Sequence, residues 1–412
     1  APVVVHVATN GGNGESAVAN ISGGTFTGLL ETSTNAASIV ITGGTFSVDP
    51  TDYCAEGYSP KFNGSTYTVI QTAGTQTREL PLAGWYWFST YINIEGSNSL
   101  SKLQNALSTE DQEGNTVCVG EIIKSRTQYS QYFPGAGWGG TLESISTAQM
   151  YMIKTNAPVT LELSGDFVEE GRVISLNNGW NSIGYPVRSG ASIEQALSGF
   201  TPTEGDILKS KTAASFYEDG IWFPSINLEP GHGFMYKSVG NKTLVYTSNN
   251  NNSTAKTDVD MIDYRWNANA TQYSGNMTIV AMLSIDNEMM KGDYEISAFA
   301  NGECRGTARP TYNEKLDAYI LVLTVQGDDV EELSFKYYDV NYGTEYELAN
   351  TLVYSNDAIV GSLDEPYMFN LDILNVEEAS INEVNVYPNP TTTESSPLTF
   401  SNRNAFGCFC LI

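Results

Sequence analysis

Residues that could carry out chemistry are few in this chain. The densest group of acids is Asp293, Glu295 and Glu303 around Arg305, in GDYEISAFANGECRG. Two carboxylates about 5 to 10 Å apart are what glycoside hydrolysis needs, one protonating the leaving oxygen while the other attacks or activates water. An arginine beside a glutamate also makes a structural ion pair at a strand end. Separation in space decides between the two, and with 47 acids in the chain promising pairs arise by chance. The histidines are two, His6 in an apolar strand and His232 in EPGHGFMY, and a Ser-His-Asp site would have to be built around one of them. Phosphate loops, dinucleotide turns, nucleophile elbows, HExxH helices and CxxC pairs do not occur. The acid-rich turns DPTD (Asp49 to Asp52) and GDDVEE (Gly327 to Glu332) offer hard oxygen ligands without the ordered spacing of an EF-hand. The expectation is therefore no cofactor, with Ca²⁺ the one ion such turns could hold.

Aromatic residues offer a second kind of chemistry, stacking on a ligand ring beside amide and hydroxyl donors. GWYWFSTY (Gly84 to Tyr91) packs five aromatic side chains into eight residues. Side chains alternate faces along a strand, so Trp85 and Trp87 share one face while Tyr86 and Phe88 share the other. YFPGAGWGG and FYEDGIWFP place Trp138 and Trp222 on glycine-rich turns, where an indole is easily exposed, with Tyr132 and Tyr217 nearby. Trp87, Trp138, Trp222, Tyr132 and Tyr217 are the candidate ligand-binding residues.

The elements that must position them are legible from internal echoes. GWYWFST at Gly84 returns as GWNSIGY at Gly179, NALS at Asn105 as QALS at Gln195, IIKS at Ile122 as ILKS at Ile207, Trp138 as Trp222, and MYMIKT as FMYKS. Two tandem copies of one small β-rich module with a short helix account for this, over residues 76–166 and 167–248, the helices falling in SLSKLQNALS and SIEQALSGF. Trp85 matches Trp180 and Phe88 matches Ile183, which marks those positions as module core, whereas Trp87 becomes Ser182 and Tyr86 becomes Asn181.

Upstream, ISGGTF at Ile21 and ITGGTF at Ile41 recur twenty residues apart. That period suits a coil of a β-solenoid, with Phe26 and Phe46 stacked inside and residues 1–75 forming its last coils and cap. SNNNNSTAKTDVD supplies a polar linker at residues 249–262. Two-residue alternation then runs through MTIVAMLSI, YEISAFANG, YILVLTVQG and LSFKYYDV. About seven short strands over residues 263–376 indicate an antiparallel β-sandwich. The expected class is mainly β.

Composition limits the partners. A net charge of -27 without a basic cluster excludes nucleic acid and anionic lipid. No apolar run approaches the ~20 residues of a membrane helix. A neutral glycan or another surface ligand fits better, and the sequence leaves the oligomeric state open. The five cysteines, Cys54, Cys118, Cys304, Cys408 and Cys410, form neither a disulfide framework nor a zinc site, and pairing of Cys54 with Cys118 stays open.

VNVYPNP (Val384 to Pro390) resembles the opening of the C-terminal sorting domain of type IX secretion cargo in Bacteroidota. ITGGTFSVDP with YCAEGY resembles β-helical surface proteins of that group. GWNSIGYP with PGHGFMYKS, and AFANGECRGTA, resemble modules of the same secreted proteins. The resemblance implies secretion or display on the outer cell surface. Residues 377–412 depart from it, since PLTFSNRNAFGCFCLI does not continue the sorting pattern. With no export signal at APVVVHVATN, the expectation is a fragment of a larger parent. Two functions follow as expectations: a non-catalytic adhesin-like protein binding carbohydrate through exposed aromatics, or a glycoside hydrolase or polysaccharide lyase using paired carboxylates. The sequence favours the first.

Overall fold

The computed structural model describes residues 5–7, 16–32, 37–94, 99–247 and 263–371. The expected linker and sorting segment lie outside the described residues, as do Cys408 and Cys410. The chain is mainly β, so strand register decides where each side chain points.

Strands β1 (Ala17–Phe26) and β2 (Ala37–Phe46) pair in parallel, Ile21 opposite Ile41 and Phe26 opposite Phe46. The twenty-residue echo is thus one coil laid on the next. Its two phenylalanine rings stack at 4.9 Å with 9° between planes. An antiparallel hairpin of β3 (Tyr58–Phe62) and β4 (Tyr67–Gln71) closes the sheet against β2, giving the order β1-β2-β4-β3.

The first echoing segment follows as β5 (Ala73–Leu80), β6 (Gly84–Phe88), α1 (Ser99–Ala106), β7 (Gly120–Lys124), β8 (Tyr129–Phe133), β9 (Gly137–Gly140), β10 (Tyr151–Thr155) and β11 (Val159–Asp166). The second runs β12 (Val173–Leu176), β13 (Gly179–Ile183), α2 (Ile193–Ala196), β14 (Asp206–Lys209), β15 (Ala214–Glu218), β16 (Ile221–Phe223), β17 (Phe234–Ser238) and β18 (Lys242–Val245). Their five-stranded sheets have the same order, β9-β8-β7-β10-β6 and β16-β15-β14-β17-β13, each beside a two-stranded ladder, β5 with β11 and β12 with β18. Register agrees residue for residue. Trp85 faces Lys154 as Trp180 faces Lys237, and Phe88 faces Tyr151 as Ile183 faces Phe234. The second helix is a single turn, shorter than its sequence pattern, and is held by a capping box between Ser192 and Gln195.

The two copies meet through a reciprocal contact. Ser89 N donates to Gly231 O of the second copy, and its counterpart Gly184 N donates to Ala148 O of the first, both at 3.0 Å. Residue i on j, matched by i′ on j′, is the signature of an isologous two-fold contact. Trp87, Met150 and Met235 fill the seam, with Met152 and Trp180 packed beside them. Arg78, buried there without a carboxylate, donates to Trp87 O at 2.7 Å and to Gly231 O. Burial pulls its guanidinium down to about 10, which leaves it charged at neutral pH.

The last portion is a sandwich of two sheets. One holds β19 (Gly275–Ile285) beside β23 (Ala318–Gly327), with β22 (Thr311–Asn313) at the edge. The other has the order β21 (Glu303–Ala308), β20 (Tyr294–Ala300), β24 (Glu332–Asp339), β25 (Thr344–Val353). It is not purely antiparallel, because β26 (Ile359–Val360) and β27 (Tyr367–Leu371) both join β19 in parallel. Met277, Ile279, Ala281 and Leu283 lie in its core, the face their alternation marks out. Ile207, Ala214, Phe216 and Phe223 of the second copy pack on Val280, Ile320 and Leu363 of the sandwich.

The seam tolerates no bulk at Gly184, where a Cβ would sit well inside contact distance of the Thr147 carbonyl and against Gln149. Gly184→Ala is expected to cost about 1–3 kcal/mol, read as a lower denaturation midpoint, while Gly64→Ala, with open space around it but a positive φ, reports the smaller backbone cost alone.

Candidate functional site

The sequence candidates are placed differently from expectation. Trp87 is 2% exposed, with its indole N–H donating to Ser274 O at 2.9 Å. Trp222 is 7% exposed and belongs to the second copy's core. Both are corrections to the expected surface stacking residues. The reason is parity: Trp222 lies opposite Tyr217 in its hairpin, and Trp138 opposite Tyr132 in the other. All four point to the helix-covered side of their sheets. Trp138 is half-buried against the first core and meets Tyr132 edge-on at 5.5 Å; Trp222 and Tyr217 repeat the pair at 5.3 Å. Trp85 and Trp180, expected as core, are instead half-buried on the opposite faces, where Lys124 Nζ lies 4.3 Å from the Trp85 ring and Lys209 Nζ 4.7 Å from that of Trp180. The residues that do enter the core are Tyr86 and Phe88.

The three acids do not form a site. Asp293 is exposed in a turn with φ 48°, before β20, whereas Glu303 opens β21 opposite Ala300 at the far end of that seven-residue strand. They stand roughly 20 Å apart by strand rise, twice the largest separation useful for glycoside hydrolysis. Glu295 is fully buried and accepts from Arg265 N at 2.8 Å, Trp266 N at 3.3 Å and Arg309 at 3.4 Å, tying the segment before the sandwich to its outer face. Glu303 accepts from the Tyr273 hydroxyl at 2.7 Å. The other buried acid, Asp206, takes the Tyr236 hydroxyl and Val239 N, each at 2.7 Å, and pairs with Lys242. These carboxylates hold the fold.

The acid-rich turns are likewise engaged within the chain. Asp49 accepts from the Thr51 amide and hydroxyl, and Asp328 from Ser274 N and Oγ, both at 2.7 Å. Among the described residues no group of three or more His, Cys, Asp or Glu side chains is placed to hold a metal ion. Cys54, Cys118 and Cys304 are free thiols.

A surface that sequence reasoning missed is the outer face of the first copy's sheet. Across it run Gly139, Gln131, Ile122, Lys154 and Trp85 in one register row, and Tyr129, Lys124 and Met152 in the next. Tyr129 and Phe133 are each 46% exposed, and the strand beside them carries Gly137 and Gly139 in place of side chains. Lys154 pairs with Glu121 at 2.7 Å. The same positions in the second copy are Ala214 for Tyr129, Phe216 for Gln131 and Phe223 for Gly139, all buried beneath the sandwich. One face was made apolar for internal docking, while its twin stayed wet and aromatic. The alternation of YSQYF, with Tyr129, Gln131 and Phe133 on one side and Ser130 and Tyr132 on the other, was the signal in the sequence.

Compared with known protein families and with curated proteins, the chain matches none.

Two outcomes follow from these groups. Glu295→Ala leaves buried amides and Arg309 without their acceptor and is expected to cost about 2–4 kcal/mol, measured by denaturant unfolding. Lys211, at the junction of the second copy and the sandwich, donates to Tyr273 O and to Gln326 Oε1, both at 2.6 Å. Burial pulls its ammonium down to about 7, whereas an unfolded lysine titrates near ~10.4. Between those values the unfolded chain holds the extra proton, so this group's penalty is full below pH 7 and is relieved as pH rises. Unfolding free energy of the native chain minus that of Lys211→Met should therefore climb from pH 7 toward pH 10; a flat difference would contradict the shift.

Proposed function

We propose that the protein is a non-catalytic, adhesin-like binding protein, secreted or displayed on a cell surface, and that neutral carbohydrate docks on the outer face of the first copy. The observation that carries this reading is the divergence of the duplicated face. Where the second copy buries Ala214, Phe216 and Phe223, the first presents Tyr129 and Phe133 at 46% exposure around the Gln131 amide. Two half-exposed rings beside glycines give an accessible apolar surface, and Gln131, Lys124 and Lys154 supply donors for sugar hydroxyls. A net charge of -27 favours neutral over anionic glycans. Binding without turnover is supported by the acids: Glu121 at the edge of this face is paired with Lys154, Glu295 and Asp206 are buried acceptors, and Asp293 and Glu303 stand at opposite ends of a strand. The YPNP resemblance supports the surface or secreted location.

The test is a glycan array followed by calorimetry on the best ligand. Tyr129→Ala with Phe133→Ala should weaken binding by roughly tenfold or more, the effect of about 1.5 kcal/mol of stacked apolar surface, with an unchanged melting temperature. Binding indifferent to both rings, or reducing ends released from any polysaccharide, would refute this reading.

A further inference from the structure

A cleft of about 500 Å³ opens at the seam between the copies. The turn at 125–128 of the first copy forms one side, and the edge strand β13 of the second forms the other. Arg126, Gln128, Gln149, Asn177, Trp180 and Ser182 line it, and among the described residues no carboxylate does.

The reciprocal packing gives this cleft a counterpart, flanked by the turn at 210–213 of the second copy and the edge strand β6 of the first. That counterpart is filled by the chain itself. Residues Thr271 to Gly275 run between turn and strand and are held through main-chain carbonyls: Thr271 O accepts from Trp85 N at 2.6 Å, Tyr273 O from Lys211 Nζ at 2.6 Å, and Ser274 O from Trp87 Nε1 at 2.9 Å. Asn276 then donates back to the turn, to Lys211 O at 2.9 Å.

Each of those three donors has an equivalent at the open cleft. Trp180 N occupies the place of Trp85 N on an edge strand of the same register. Arg126 replaces Lys211 on the turn, and its guanidinium reaches Trp180 O at 2.7 Å. Ser182 replaces Trp87, and its Oγ is buried without a hydrogen-bond partner. A buried hydroxyl left unpaired is a standing cost, which an incoming acceptor relieves. Exchange of the Trp87 indole for a serine also clears the volume that the cleft occupies.

We infer that this cleft seats an extended segment of a second polypeptide, about five residues long, added at the β13 edge and held by its main-chain carbonyls on Trp180 N, Arg126 and Ser182. Main-chain hydrogen bonding at an unpaired edge with flanking side-chain contacts is a general mode of peptide capture. Thr271 to Gly275, a segment of this kind among the described residues, is already engaged at the counterpart. Arg126, the one charged lining residue among those described, makes uncharged or acidic segments the favoured class. None of Tyr129, Gln131 and Phe133 lines the cleft, although Gln128 adjoins Tyr129.

The experiment is selection of linear dodecapeptides from a display library on the intact chain, followed by fluorescence polarisation of the enriched peptides. Arg126→Ala, an exposed change, is expected to weaken them about tenfold, the loss of one charge-assisted hydrogen bond. Ser182→Trp refills the cleft as Trp87 fills its counterpart and should abolish binding, with circular dichroism as the control for folding. Tyr129→Ala with Phe133→Ala should leave peptide binding unchanged. Failure to enrich any peptide, or peptides that bind both cleft variants as well as the native chain, would overturn the inference. So would an oligosaccharide that binds the native chain and is lost on Ser182→Trp alone, a result that would also refute docking on the glycan face, whereas failure to enrich a peptide leaves that reading untouched.

Discussion

The centre of the molecule depends on two edge strands that each hydrogen-bond to the other's copy. Each five-stranded sheet ends on the strand that opens with Gly-Trp, and an edge strand carries a row of unanswered amides and carbonyls. β6 and β13 answer part of that row on each other's copy, through Ser89 to Gly231 and Gly184 to Ala148. Everything around the seam follows from this exchange. It brings Trp87 and the methionines into one cluster, buries Arg78 among carbonyls, and leaves both sheets with an outer face to dispose of.

The two copies dispose of those faces differently. In the second, Phe216 and Phe223 make the face apolar, and the sandwich covers it. Lys209, 2% exposed, then needs a partner and finds Asp357 at 2.6 Å. In the first, glutamine and glycine hold the corresponding positions, so a docked sheet would find little to bury. Chemistry at a few outward positions thus decides which face joins the interior and which meets solvent, while the underlying register is unchanged.

Much of this architecture was legible in the sequence. The spacing of the two GGTF motifs predicts the parallel stacking of Phe26 on Phe46, and the echoes from GWYWFST to GWNSIGY locate equivalent strands to the residue. What failed was the sense of each face. Alternation says that Trp85 opposes Tyr86, but it does not say which of them meets the core, because aromatic rings suit both a hydrophobic interior and a lysine-covered surface. Retention of Trp85 as Trp180 resembled core packing, yet each indole lies beside a lysine on the outer face of its sheet, and Trp180 also packs at the seam. Glycine-rich turns around Trp138 and Trp222 implied exposure, although ring direction is set by the strand and not by the turn beside it. The acids failed for another reason: Asp293 and Glu303 are ten positions apart in sequence, and an intervening extended strand carries them to opposite ends of a sheet.

The molecule contains two repeats that differ in whether they can grow. Coils of the parallel stack meet head to tail, so the surface that receives β2 on β1 recurs on every coil, and the array has no intrinsic length. The Gly-Trp copies meet face to face, and each spends the same patch that it recognises. That arrangement saturates at a pair: a third copy would find no free partner. Lengthening this protein by duplication is therefore open in its first portion and closed in its second.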